Sequence, residues 1–198
     1  MKKGFKQIYQ FKVTLKGIKP SIWRKIQVPE AYTFWDLHVA IQDVMGWQDY
    51  HLHEFEVIKP SSGRKVMIGF PDEEFGRDVL PGWKQKIADY FSIENPSAEY
   101  TYDFGDNWRH EIKLEKILPR EKGVKYPLCI DGKRACPPED CGGTSGYENF
   151  LKILMDPRHE RYEEMLEWIG GEFDPEHFDI REVYFDNPKK RLKMVLEE

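Results

Sequence analysis

Tyr100-Thr101-Tyr102-Asp103-Phe104-Gly105-Asp106-Asn107-Trp108-Arg109-His110-Glu111-Ile112 is the stretch on which the fold turns. Apolar and polar side chains alternate on both sides of Gly105-Asp106-Asn107, the period of a strand with one buried and one wet face. A glycine with Asp and Asn between two such runs is hairpin chemistry. A three-residue loop sets Phe104 opposite Trp108, Tyr102 opposite His110 and Tyr100 opposite Ile112, so the rings share one side. A two-residue loop would set Phe104 against Arg109 and Tyr102 against Glu111, a slip that sheets with one buried face disfavour. The three-residue count also pairs Asp103 with Arg109. The alternation runs over residues 100–118, and an antiparallel sheet is expected.

Toward the N-terminus the same period returns: Tyr9, Phe11, Val13 and Leu15 alternate with Gln10, Lys12, Thr14 and Lys16. Gly17 to Ser21 supplies turn residues, and residues 22–28 form a second β-rich run whose outer face carries Arg24 or Lys25. Thr33 with Asp36 three residues on is a capping box, and Phe34, Leu37, Ile41, Val44 and Met45 stripe the helix that Gly46 ends. Residues 51–58 give a third strand, with His51, His53, Phe55 and Val57 on one face. Between Lys59 and Pro96, turn markers including Gly76 surround a short strand at 66–69 and a helical turn at 87–91.

Beyond Pro119 the pattern changes. Residues 126–146 are rich in Cys, Pro and Gly and show no periodicity, which predicts a long loop. Thr144 or Ser145 can cap a helix reaching Met155. Tyr162, Met165, Leu166 and Ile169 stripe another that Gly170-Gly171 ends, and Asn187-Pro188 opens a last basic helix ending near Leu196. The expected fold is α+β: a mostly antiparallel sheet of hairpins packed against helices, with a helical C-terminal third. One domain is expected over 1–198, sheet-rich to 118, looped over 119–146 and helical from 147.

Composition agrees with a globular chain. The 198 residues are 40% hydrophobic, 33% charged and 14% aromatic, and 30 Lys and Arg against 35 acids leave −5. That balance gives no overall attraction to nucleic acid or an anionic membrane. No apolar run is long enough for a membrane span and no signal-peptide core follows the start, so a cytoplasmic location is expected. Cys129, Cys136 and Cys141 are odd in number and lack a C-x-x-C pair, which predicts reduced thiols and excludes zinc-finger spacing.

Chemistry concentrates in a few side chains. His51-x-His53 places two imidazoles on one strand face about 7 Å apart. If His110 on the hairpin converges with them, His51, His53, Asp106 and His110 make a metal set that Glu139, Asp140 or Cys141 from the long loop can complete. The cofactor would be divalent zinc, iron or manganese. Against this, a histidine on an apolar strand face is more often a hydrogen-bonded core residue, and hairpin Asp residues are more often turn formers. Gly142 to Gly146 before a helix can hold an anion but lacks the lysine of a phosphate loop. Arg24, Lys25, Lys189, Lys190, Arg191 and Lys193 with Trp23, Trp47 or Trp83 would suit nucleic acid, although a solvated helix face explains the terminal run equally well.

Four segments carry a family resemblance: Ile18-Lys19-Pro20-Ser21-Ile22-Trp23-Arg24, His51-Leu52-His53-Glu54-Phe55, Tyr102 to His110, and Arg134-Ala135-Cys136-Pro137-Pro138-Glu139-Asp140-Cys141-Gly142-Gly143. Together they resemble the Ri-plasmid Orf-three-like family over about residues 8–183, and the final helix lies beyond the likeness. The resemblance implies a small α+β protein carried on plasmids, insertion elements and chromosomes, and it transfers no catalytic residue. It marks three segments that the residue patterns also single out: the His-x-His strand, the Asp-Phe-Gly-Asp hairpin and the Pro-Pro-Glu-Asp-Cys loop. The first expectation is a non-catalytic binding module for a protein or nucleic-acid partner, using Trp23, Asp103, Trp108, Arg109, Arg134, Glu139, Asp140 and Cys141. The alternative is a metal-dependent, hydrolase-like enzyme built on the histidine set.

Overall fold

The structure is a computed structural model, and it describes residues 5–71 and 79–197. Gly76 lies outside the described residues. The fold is α+β. One 8-stranded sheet runs in the order β5-β4-β3-β6-β7-β1-β2-β8. Its strands are β1 (Gln7–Leu15), β2 (Trp23–Pro29), β3 (His53–Lys59), β4 (Arg64–Gly69), β5 (Val79–Pro81), β6 (Ser97–Tyr102), β7 (Trp108–Pro119) and β8 (Leu128–Lys133). Every pairing is antiparallel except that of β4 with β5. The helices are α1 (Phe34–Met45), α2 (Gly143–Leu154), α3 (Tyr162–Ile169) and α4 (Pro188–Glu197), the last three in the C-terminal part.

Alternation decides which face is covered. Tyr9, Phe11, Val13 and Leu15 of β1, Phe55 and Val57 of β3, and Tyr100 and Tyr102 of β6 are buried in one core. Onto them α1 lays Phe34, Leu37, Ile41, Val44 and Met45, all buried. The helix starts where the sequence says it should: Asp36 N donates to Thr33 Oγ1 and Thr33 N to Asp36 Oδ2. Gly46 ends it with φ 80°, in the left-handed region that glycine adopts without strain.

Four expectations change. The central hairpin pairs Tyr102 with Trp108, Tyr100 with His110 and Ala98 with Ile112, so its loop holds five residues and the register moves by two. A shift of two keeps the rings of both strands on their face and moves only Phe104 out into the loop, so alternation could not detect it. Asp103 leaves the strand at φ 55°, and its carboxylate accepts from Gly105 N at 2.8 Å, closing the loop. Arg109 accordingly pairs with Thr101, and its guanidinium binds Glu99 on the outer face, not Asp103.

Residues 126–146 are not all loop, because β8 pairs with β2 at the sheet edge with a bulge between Lys25 and Ile26. That bulge, with Pro127 and Gly132 near the strand ends, hides the alternation. Arg24 faces inward at 2% exposed, while Lys25 lies outside beside Glu115 at 3.2 Å. Burial of the cation is satisfied by carbonyls of Val44, Trp23 and Lys133, by Cys136 Sγ, and by the Phe178 ring 3.9 Å away. Val44 sits in the last turn of α1, where the helix dipole favours a positive charge. Finally, α2 begins at Gly143 with no side-chain cap from Thr144 or Ser145.

The three cysteines are free thiols. No helix among the described residues is long and apolar enough to cross a membrane.

Candidate metal and ligand site

The three singled-out segments meet at one corner of the sheet. Residues 47–52, which lead from α1 into β3, carry His51 just before the strand begins. The β6–β7 loop supplies Asp103, and the segment before α2 supplies Glu139 and Asp140. His51 Nε2 lies 3.0 Å from Asp140 Oδ1 and 3.7 Å from Asp103 Oδ2. One nitrogen and two carboxylate oxygens thus sit within 4.8 Å of one another. Two ligands on a cation with bonds of about 2.1 Å stand about 3.0 to 3.6 Å apart, for angles of about 90° to 120°. The 3.0 Å separation falls at one end of that range and the 3.7 Å separation just beyond the other.

This corner is tied together at several points. Trp47 Nε1 donates to Pro137 O at 2.9 Å, and Gln48 N and Tyr102 OH donate to Glu139 Oε1 at 3.0 and 2.8 Å. Tyr50 N donates to Tyr102 OH, and Asp103 N to Leu52 O, both at 3.0 Å. Burial and the Glu139 carboxylate hold the Tyr102 hydroxyl protonated, far above the usual phenol value. Glu139 Oε2 is buried and accepts no hydrogen bond. Asp49, Asp103, Asn107 and Asp140 all take positive φ between 55° and 63°. Strained backbone of this kind gathers where a fold holds side chains for a purpose.

Asp106 does other work. Its Oδ2 accepts from Gly142 N at 3.1 Å, so the hairpin loop itself places a carboxylate at the start of α2. That contact occupies the position expected for an external anion. Gly143 follows at φ 67°, where a Cβ would fall 2.6 Å from Asp106 O. Beside it, burial with the nearby Asp106 and Asp140 charges pushes the Cys141 thiol up to about 12, so it stays protonated.

A second histidine group lies deeper, and it is dry. His38 and His53 stack with ring centroids 3.4 Å apart and planes 7° apart. His38 Nδ1 meets Tyr100 OH at 2.8 Å and Nε2 meets Asp49 Oδ1 at 2.7 Å, while Gln42 Nε2 donates to the same hydroxyl at 2.9 Å. Both ring nitrogens of His38 are therefore occupied, one by a hydroxyl and one by a carboxylate. Burial, and then the neighbouring His38, hold His53 well below the imidazole value. His38, Asp49 and His53 also lie within 4.8 Å of one another. The lone pairs of stacked rings lie in two parallel planes, however, and cannot both point at one cation.

The expected quartet is therefore divided. His51 is in the open corner, His53 in the dry stack, Asp106 at α2, and His110 is buried in the aromatic core between Tyr100 and Trp47. Its burial lowers it to about 4. His53 and His110 stand on strands separated by β6, both against the Tyr100 ring. Of the expected binding residues, Asp103, Glu139, Asp140 and Cys141 gather at the corner. Trp108 and Arg134 are interior, Arg134 holding Glu176 and Pro20 O. Trp23 and Arg109 lie on the outer sheet face, where Lys12 Nζ sits 4.8 Å from the Trp23 ring. The basic and aromatic set proposed for nucleic acid is likewise dispersed, with Arg24 and Trp47 buried and the four basic residues from Lys189 to Lys193 on α4.

Next to the corner opens a groove of about 300 Å³, lined among others by Asp140, Cys141, Asn149, Arg161 and Trp168. Sequence reading missed it because it forms between α2 and α3. It also missed His38, which helical periodicity places on the buried face of α1 without marking it as polar.

An eight-stranded, mostly antiparallel sheet packed against helices makes this an α+β protein. The family model for plasmid pRiA4b ORF-3-like proteins matches residues 7–182, and the chain belongs to that family. It is 37% identical over 167 residues to the uncharacterized protein y4hQ of Sinorhizobium fredii, covering 83% of this chain and 81% of that one. It is also similar to a solved structure, the protein of unknown function MM3350 from Methanosarcina mazei Go1, with TM-score 0.86 and 54% identity, over 91% of this chain and 99% of that one.

Proposed function

We propose that this protein is a binding module whose ligand site is the three-segment corner, and that it binds through a divalent cation held by His51, Asp103 and Asp140. The convergence of one imidazole and two carboxylates, each from a different segment, carries this reading. The donor set is mixed nitrogen and oxygen, which suits zinc, iron or manganese, and three protein ligands leave positions open. His51 is about one-third exposed and Asp140 two-thirds exposed, so the open positions face solvent. An anionic group of a protein or nucleic-acid partner, a carboxylate or a phosphate, would complete the coordination. Exposed Tyr50 and Phe104 rim the corner and offer apolar contact beside it.

The test is calorimetric titration of tag-free, chelator-treated protein with Zn²⁺ and Mn²⁺. One equivalent should bind to the wild type, and binding should be lost in His51→Ala and Asp103→Asn. Absence of saturable binding in folded wild type, or full retention in both variants, would overturn the proposal.

A further inference from the structure

We infer that Arg191, on the C-terminal helix, is a positioning residue for the cation corner; this rests on the reading above. The family match ends at residue 182, so α4 lies beyond it. The helix is nonetheless docked firmly. Trp35 Nε1 donates to Pro188 O at 2.9 Å, and Asp186 N donates to Asp43 Oδ2 at 2.9 Å. Arg191 then reaches inward between three carboxylates. Its Nη2 lies 3.0 Å from Asp43 Oδ1 and also binds Asp186, and its Nη1 lies 3.6 Å from Asp49 Oδ2. The side chains of Asp43 and Asp49 are 5% and 8% exposed, so the guanidinium is a counter-charge that solvent cannot replace.

Asp49 is the link to the site, since it stands two residues before His51 with its backbone at φ 63°. The other fixed points of residues 47–52 are Trp47 and Gln48 on one side and Tyr50 and Leu52 on the other. Asp49 is held by its side chain, through a hydrogen bond with His38 Nε2 and the 3.6 Å ion pair with Arg191. Without Arg191, the buried carboxylates of Asp43 and Asp49 lose the counter-charge they share, and turning Asp49 outward toward solvent relieves this. That turn carries His51 away from Asp103 and Asp140. The C-terminal helix thus sets how well the three ligands converge, as an outer partner of a metal ligand does.

The experiment compares wild type, Arg191→Met, Arg191→Lys and the charge-balanced Asp43→Asn/Arg191→Met pair. Zn²⁺ affinity is read by titration and amide exchange at Asp49 to His51 without cation. Arg191→Met should weaken binding by about 10- to 100-fold and speed exchange in that loop. Lysine, which keeps the charge but not the fork, should recover part of both. The double variant covers the case in which Arg191→Met does not fold. Ile68→Ala in β4 should lower the melting temperature and leave affinity unchanged, separating positioning from general stability. If the wild type binds no cation the function proposed above fails, and the exchange measurement still decides the role of Arg191. Unchanged exchange, or unchanged affinity in a wild type that does bind, would overturn the inference.

Discussion

His51 and His53 are two residues apart, yet they belong to opposite chemical worlds. His53 lies flat on His38 in a dry stack. His51, just outside the strand, is wet on one side and faces two carboxylates. The difference teaches that side-chain type and spacing nominate a ligand, while burial and the direction of the lone pairs decide it.

Perturbing the dry stack should cost the most. His38→Ala removes a ring from the core and leaves Asp49 without its inner partner, and a loss of about 3 kcal/mol is expected in urea denaturation. Cation affinity should change less than in His51→Ala. The pH dependence comes next. His53 and His110 are held below the imidazole value in the fold, His110 at about 4. The unfolded chain takes up protons near pH 6.5 and the folded chain does not, so stability is full above about pH 6.5 and is lost as the pH falls toward 4. For His110 alone the loss is about 3 kcal/mol at most, and His110→Phe should flatten the curve in denaturation series run from pH 7 to 4.

Much of this comparison was hidden in sequence. Strict alternation named the face of every ring in β1, β6 and β7, and the capping box located α1 to the residue. The hairpin register slipped by two because a shift of two leaves the alternation unchanged. Strand β8 escaped because a bulge interrupts its pairing with β2 and Pro127 and Gly132 stand near its ends. At the corner, Asp140 was legible as a loop acid, Asp103 as a hairpin acid set against the wrong partner, and His51 as one of a pair. Their meeting depends on loops packed from three distant places, and no local period records that. Sequence left the outer face open between Arg24 and Lys25 for a related reason, since the acceptors that bury Arg24 are carbonyls that sequence does not label.

Smaller effects sharpen the contrast. Asp103→Ala should destabilise by about 1 kcal/mol through loss of the loop-closing bond to Gly105 N, and should also abolish cation binding. His51→Ala should alter stability by no more than about 0.5 kcal/mol, because its 3.0 Å partner Asp140 is two-thirds exposed and Asp103 lies farther off at 3.7 Å. Thermal melts and titrations on the same samples check both, and of these two variants only His51→Ala should lose binding with stability nearly intact.

The most direct measurement is anomalous diffraction from crystals grown with Mn²⁺ or Zn²⁺. The account predicts one strong peak about 2.1 Å from His51 Nε2 and bonded to the carboxylates of Asp103 and Asp140. A peak against His38 or His53, or none at the corner at saturating cation, would contradict it.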